Sequence, residues 1–277
     1  MNNKVMYLEE KARELRTTIL TMIHGAESGH PGGSLSAADY VTVLYYDEMN
    51  IDPTNPKMEN RDRFILSKGH SCPVLYSVLA QKGYFDYDII YTLRKFGSIL
   101  QGHPDMNKVP GIDMTTGSLG QGLSVGVGMG IGLKRSGNNA RVFVALGDGE
   151  INEGQIWEAA ACAAKYKLDN LVAIVDYNGI QNDSFTKEIM PMEDIEAKWR
   201  AFGWEVITCD GHCIKDLLKT FDYMKRFRHG EKPICIVANT VKGKGVSFME
   251  HVPGWHGVAP NDAELAKALE EINGGDC

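Results

Sequence analysis

Residues 146–154 read LGDGEINEG, with Asp148 held between two glycines at the end of the β-branched run RVFVAL (141–146). A carboxylate at the carboxyl end of a strand, just before a helix, stands where open α/β sheets bind ligands. Gly147 and Gly149 let backbone approach a ligand closely, and amides at a helix start face an anion well. An anion beside a carboxylate needs a cation between them, so the stretch reads as a divalent-metal and phosphate site. A glycine–aspartate turn with no chemistry is the competing reading. A dinucleotide fingerprint is the other rival, and it fails. Gly147-Asp148-Gly149 has Asn152 where G-x-G-x-x-G needs its last glycine, GVGMGIG (126–132) has the wrong spacing, and no G-x-x-x-x-G-K-[ST] occurs.

A second run, LVAIVD (171–176), leads to Asn178, thirty residues after Asp148, with Ile180 just beyond. Between the runs lies NEGQIWEAAACAAKYK (152–167), alanine-rich and of crossover-helix length. Two such strands lie side by side with Asp148 and Asn178 at one edge. A carboxylate, an amide oxygen and a backbone carbonyl make an all-oxygen set, which two phosphate oxygens and a water complete to the octahedron of Mg²⁺.

The elements around these residues alternate between strand and helix patterns, which predicts an α/β fold with a mostly parallel sheet and helices on both faces. Residues 204–209 (WEVITC) and 234–239 (ICIVAN) are further strands, and IKDLLKTFDYMKRF (214–227) is an amphipathic helix. MPMED (190–194) is a loop entering a helix, and DAELAKALEEI (262–272) a short helix before a frayed NGGDC end. No repeat or Pro/Ser-rich linker interrupts the 277 residues, so one domain is expected over 1–277. The chain is 43% hydrophobic with ten prolines, an ordered globular composition. A net charge of -7 without a basic run argues against nucleic acid. The N-terminus reads as a charged amphipathic helix without a signal-peptide core, and no stretch reaches the roughly 20 apolar residues of a membrane span. Six unpaired cysteines (72, 162, 209, 213, 235 and 277) fit reduced thiols in the cytoplasm. CDGHC (209–213) lacks a second ligand pair and is not read as zinc. Gly122, Gly126 and Gly130 form a stripe for close packing, in the core or against a second copy.

GDG followed thirty residues on by Asn resembles the thiamine-diphosphate-binding motif. The surroundings resemble the transketolases over nearly the whole chain: SGHPGGSLSAAD (28–39), SKGHSCPVLY (67–76), GHP (102–104), TTGSLGQGL (115–123), GDGEINEGQIWEA (147–159), and KGKG with WHG (242–257), all in the family's order. The resemblance implies transfer of a two-carbon unit from a ketose to an aldose on thiamine diphosphate. It assigns the metal (Mg²⁺, with Ca²⁺ or Mn²⁺ possible alternatives) to Asp148, Asn178 and the Ile180 carbonyl. It assigns the diphosphate to the Gly149 amide, Lys242 and His256, and the aminopyrimidine side to Gly117 and Leu119, with Ser36 a weaker cofactor contact. Four of the eight histidines sit on its motifs: His30 and His103 for substrate hydroxyls, His70 for the diphosphate and substrate region, and His256. Imidazole moves such protons in both directions near neutral pH. His24, His212, His229 and His251 are left as structural. Glu153 falls on a carboxylate network across a subunit interface; Glu158 lies five residues further on.

Full transketolases continue with a pyrimidine-binding and a C-terminal domain, which carry the glutamate that protonates the aminopyrimidine. The sequence ends at Cys277 without them, and so resembles the N-terminal subunit of a split transketolase. A second subunit is then expected, two copies of each chain, acting on sugar phosphates. Related thiamine-diphosphate enzymes (deoxyxylulose-phosphate synthase, 2-oxo-acid dehydrogenases) and a non-catalytic phosphate-binding module are the alternatives.

Overall fold

A computed structural model describes residues 2–227 and 229–274. Five parallel strands form one sheet in the order β1-β2-β3-β5-β4: β1 (Arg63–Leu66), β2 (Val142–Gly147), β3 (Leu171–Tyr177), β4 (Glu205–Asp210) and β5 (Ile234–Asn239). The helices are α1 (Asn2–Gly25), α2 (Pro31–Ser36), α3 (Ala38–Val43), α4 (Cys72–Lys82), α5 (Gln121–Arg135), α6 (Gly154–Lys165), α7 (Thr186–Ile189), α8 (Ile195–Ala201), α9 (Ile214–Met224) and α10 (Asp262–Gly274).

Alternation along the strands divides the interior into two layers. Phe64, Phe143, Val172 and Ile236 point into a core shared with α1, α3, α4, α9 and α10. Ile65, Val144, Ala173 and Val237 point into the opposite core under α5, α6 and α8. Both faces of the sheet are therefore covered, as the near-continuous apolar runs require. The helix spacing matches: Leu8, Ala12, Leu15, Ile19 and Ile23 bury one stripe of α1, and Ile156, Ala159, Ala160 and Ala163 one stripe of α6.

The sequence expectation holds for β2, β3, β4 and β5, and it missed β1. It also placed Glu153 on the crossover helix, whereas Glu153 is the extended residue just before α6 (ψ 123°) and Glu158 lies within it; both are exposed. The glycine stripe is an intrachain contact rather than a surface for a second copy. A methyl at Gly122 would collide with Ser67, at Gly126 with Val144 Cγ2 (2.7 Å), and at Gly130 would touch Asn170 and Leu168. The missing side chains let α5 sit directly on the sheet. Asn273 and Gly274, expected in a frayed end, close α10 instead; the rest of that expectation falls on residues 275–277, including Cys277, which lie outside the described residues. The described cysteines are all free thiols. Among the described residues no helix is long and apolar enough to cross a membrane.

Candidate functional site

The carboxyl ends of β1, β2, β3 and β5 carry the motif residues to one edge. Parallel pairing puts Gly147 opposite Asp176, so Asp148 and Asn178 leave neighbouring strands. The turn after β3 needs a left-handed residue, and Gly179 supplies it (φ +75°). That turn folds back on Asp148. Asp148 Oδ2 accepts from the Gly179 amide (2.7 Å) and Thr186 Oγ1 (3.2 Å), and Oδ1 accepts from Gly149 (2.9 Å). Asn178 Oδ1 accepts from the Ile180 amide at 3.1 Å. Burial pushes the Asp148 carboxyl up to about 6, with the Asp176 charge adding to it and the two amides opposing. A buried carboxylate so disfavoured gains most from a cation.

Lys242 enters from the strap after β5. Its Nζ donates to the carbonyls of Ile180 (3.2 Å) and Gln181 (3.0 Å) and to His256 Nδ1 (2.7 Å). Burial pulls Lys242 down to about 8, with Asp148 opposing. Burial first, then Lys242, lowers His256 to about 3, so its imidazole is neutral and accepts the lysine proton.

His30, His70 and His256 form a triangle with ring centroids 5.1, 5.4 and 5.3 Å apart. Burial, with Arg94, His103 and Lys242, lowers His30 to about 4; burial, with Lys68 and the other two imidazoles, lowers His70 to about 2. His103 is lowered by burial and then Arg94, and a methyl on Gly117 would meet its ring at 3.5 Å. Four histidines that are neutral near pH 7 thus share one hollow. Leu119 is exposed beside it, in the segment between Gly117 and Gly120.

Behind this edge lies a polar cluster that sequence reasoning missed. Asp176, fully buried at the end of β3, accepts from Lys68 Nζ, Ser36 Oγ (2.6 Å) and Thr240 Oγ1. Burial works against its charge, but Lys68 and the hydroxyl donors outweigh it and keep its pKa below the usual carboxylate range. Ser36 is therefore occupied on Asp176 and fully buried. Glu150 is a second such tie: it accepts from Ser67 Oγ and from the amides of Gly120 (2.9 Å) and Gly147 (3.0 Å). Gly120 (φ +82°) lies so close to Glu153 that a methyl would stand 2.8 Å from its Cβ. Arg94 (φ +59°), also overlooked, donates to Ser28 Oγ at 2.9 Å.

The hollow fits a cation-bound diphosphate on two grounds. Its oxygens come from one carboxylate, one amide and one carbonyl, a hard set suited to Mg²⁺ that leaves positions for phosphate oxygens. No three His, Cys, Asp or Glu side chains converge on a metal among the described residues, which such a set does not require. Buried polar atoms also stand without protein partners around it: His30 Nδ1, Ser71 Oγ, Thr116 Oγ1 and Gln181 Nε2. Buried groups left open in this way mark a place for a polar ligand.

The family model described as "Transketolase, thiamine diphosphate binding domain" matches residues 9–275. The chain belongs to the transketolase family. It is 42% identical to an apulose-4-phosphate transketolase subunit of Phocaeicola vulgatus, covering 98% of this chain and 95% of that one. It is 43% identical to the 6-deoxy-6-sulfo-D-fructose transketolase subunit SqwG of Clostridium sp., covering 98% of each. Against human transketolase the identity is 40% over 97% of this chain but 42% of that protein. Leishmania mexicana transketolase superposes with a TM-score of 0.90 at 30% identity, covering 96% of this chain and 41% of that one. The chain spans about two fifths of the full transketolases it matches. Its fold is that of their N-terminal, thiamine-diphosphate-binding domain.

Proposed function

We propose that this chain is the N-terminal subunit of a split transketolase, one domain over 1–277, that works with a second polypeptide carrying the pyrimidine-binding and C-terminal domains. The observation that carries the reading is the juxtaposition of Asp148, Asn178 and the Ile180 carbonyl at one sheet edge with Lys242 and three neutral imidazoles facing them. Asp148, Asn178 and Ile180 hold a divalent cation, Mg²⁺ by donor type. The Gly149 amide, Lys242 and His256 bind the diphosphate, and Gly117 and Leu119 flank the aminopyrimidine. When bound, thiamine diphosphate supplies the carbon that carries a two-carbon ketol unit between sugars. His30 and His103 accept and return hydroxyl protons of the ketose donor and aldose acceptor, as neutral imidazoles can. His70 orients the diphosphate side, and Glu153, exposed ahead of α6, meets a carboxylate of a neighbouring subunit.

End-to-end similarity to proteins named as subunits supports the need for a partner. Apolar exposure beside the hollow points the same way. Leu119, Ile189 and Met190 (just past Thr186, which bonds Asp148) and Val258 (just past Gly257, which lies against His30) are 36%, 47%, 55% and 52% exposed. Such side chains around a site mark a surface that another protein covers. Two copies of each chain is the assembly we propose, in the cytoplasm, where the free thiols of the described cysteines stay reduced. The relatives' substrates are sugars with an anionic group, and we assign sugar phosphates to this pair. The test is a two-carbon transfer assay with thiamine diphosphate, Mg²⁺ and a ketose–aldose phosphate pair, run on the chain alone and with the neighbouring gene's product. Activity should appear only with both; turnover by the chain alone overturns the split reading.

A further inference from the structure

CDGHC (209–213) is a histidine–cysteine cluster that the proposed function leaves unused, and its histidine is tied to the cofactor edge. His212 Nε2 accepts from the backbone amide of Val241 at 2.7 Å. A backbone amide can only donate, so Nε2 is unprotonated and the ring proton sits on Nδ1. Nδ1 lies 2.7 Å from Asp39 Oδ2. Asp39 is buried and also takes both terminal nitrogens of Arg16, while Arg16 Nε donates to the Lys244 carbonyl at 3.2 Å. The relay therefore grips the strap after β5 at Val241 and Lys244, on either side of Lys242. From between those grips the Lys242 side chain reaches the Ile180 and Gln181 carbonyls. Behind the start of the strap is an open hollow lined in part by His212, Lys215, Lys244, Gly245 and Ile272, whereas Val246 and Met249 further along are packed into the core, so these bonds act on the stretch that carries Lys242.

We propose that His212 is a positioning residue for the cofactor site: as the Nδ1-protonated tautomer set by Asp39 and Arg16, it fixes the strap so that Lys242 is presented to the diphosphate. The inference rests on the proposed function for its ligand, but the relay itself can be tested without it. Glutamine places an acceptor where Nε2 stands and can replace the Val241 bond. Asparagine places a donor where Nδ1 stands and keeps only the Asp39 bond.

The experiment compares His212→Gln, His212→Asn and His212→Ala in the full chain by amide hydrogen exchange over 240–250 and by thiamine diphosphate titration with Mg²⁺ in the reconstituted complex. His212→Gln should match the wild type. His212→Asn and His212→Ala should exchange faster over the strap, with the central strands unchanged, and bind the cofactor roughly 3- to 10-fold more weakly, the scale of one lost buried hydrogen bond. Asparagine behaving as wild type while glutamine behaves as alanine would overturn the proposal, because the Asp39 contact alone would then matter. Equal exchange in all four proteins would overturn it as well. Should the alanine variant fail to fold, the glutamine–asparagine pair still decides. If the wild-type complex binds no thiamine diphosphate, the functional reading falls while the exchange data continue to judge the relay.

Discussion

Two polar regions meet at the sheet edge, and they differ in how their hydrogen bonds end. In the cluster around Asp176 and Glu150, donors and acceptors close on one another: Lys68, Ser36 and Thr240 on one carboxylate, Ser67, Gly120 and Gly147 on the other. In the hollow lined by the histidines, polar atoms of His30, Ser71, Thr116 and Gln181 are buried without partners. A closed network sets geometry, and an open one is completed by a ligand. Asp148 belongs to both. It is bonded by its own turn, yet its raised pKa marks a charge that the protein alone does not neutralise.

The largest expected effect is at that junction. Asp148→Ala should abolish Mg²⁺-dependent thiamine diphosphate binding with the fold retained, since removing the anchor leaves the diphosphate without its bridging cation. Cofactor titration with and without Mg²⁺, beside circular dichroism, checks this. Unchanged affinity would move the metal away from the β2 edge. Next come the open-region histidines. His30→Ala and His103→Ala should lower turnover by about 10²–10⁴-fold, the usual contribution of an acid–base group, with much less effect on cofactor affinity. Steady-state kinetics alongside titration separates the two, and a variant with normal turnover leaves the mechanism.

The closed region should respond through stability instead. Asp176→Asn leaves Lys68 buried without its counter-charge and should cost about 3–5 kcal/mol. Adding Lys68→Met should recover part of that loss, because it removes the stranded charge. Denaturant unfolding of the single and double variants measures both. A double variant less stable than the single would mean that Lys68 matters through its bond to the Gly33 carbonyl rather than as the partner of Asp176.

The two regions were also unequally legible in the sequence. Asp148 and Asn178 sit at the ends of β-branched runs long enough to read as strands, and their spacing follows from one crossover helix. Asp176 lies inside the apolar run LVAIVD and reads locally as strand; its partner Lys68 is 108 residues away. Glu150 is adjacent to the motif, but Ser67 is 83 residues distant. Contacts of such range leave no periodic trace. β1 escaped for a different reason: RFIL is four residues, too short to show a period, and charged Arg61, Asp62 and Arg63 precede or open it. The spacing of the glycine stripe on α5 was legible, but whether it faces sheet or partner depends on which face the helix turns inward.

The smallest expected effect sets the histidines against pH. In the unfolded chain an imidazole titrates near 6.5, whereas in the fold burial and neighbouring cations lower His30 to about 4, His256 to about 3 and His70 to about 2. Between those values the unfolded chain binds the extra protons, so the stability these histidines contribute falls as pH drops from about 7 towards about 4. A histidine that stays neutral in the fold at pH 5 contributes up to about 2 kcal/mol to that loss. Asp148 changes in the opposite sense over the same range, because its raised carboxyl takes up a proton in the fold first, so the wild-type profile alone does not isolate the imidazoles. The difference between wild type and His70→Asn does. The thermal midpoint of the cofactor-free chain should drop less for His70→Asn than for wild type between pH 7 and pH 5, by a few degrees. Parallel profiles would mean that His70 is solvated enough to titrate normally, and the open region would then be wetter than its buried, unpartnered atoms imply.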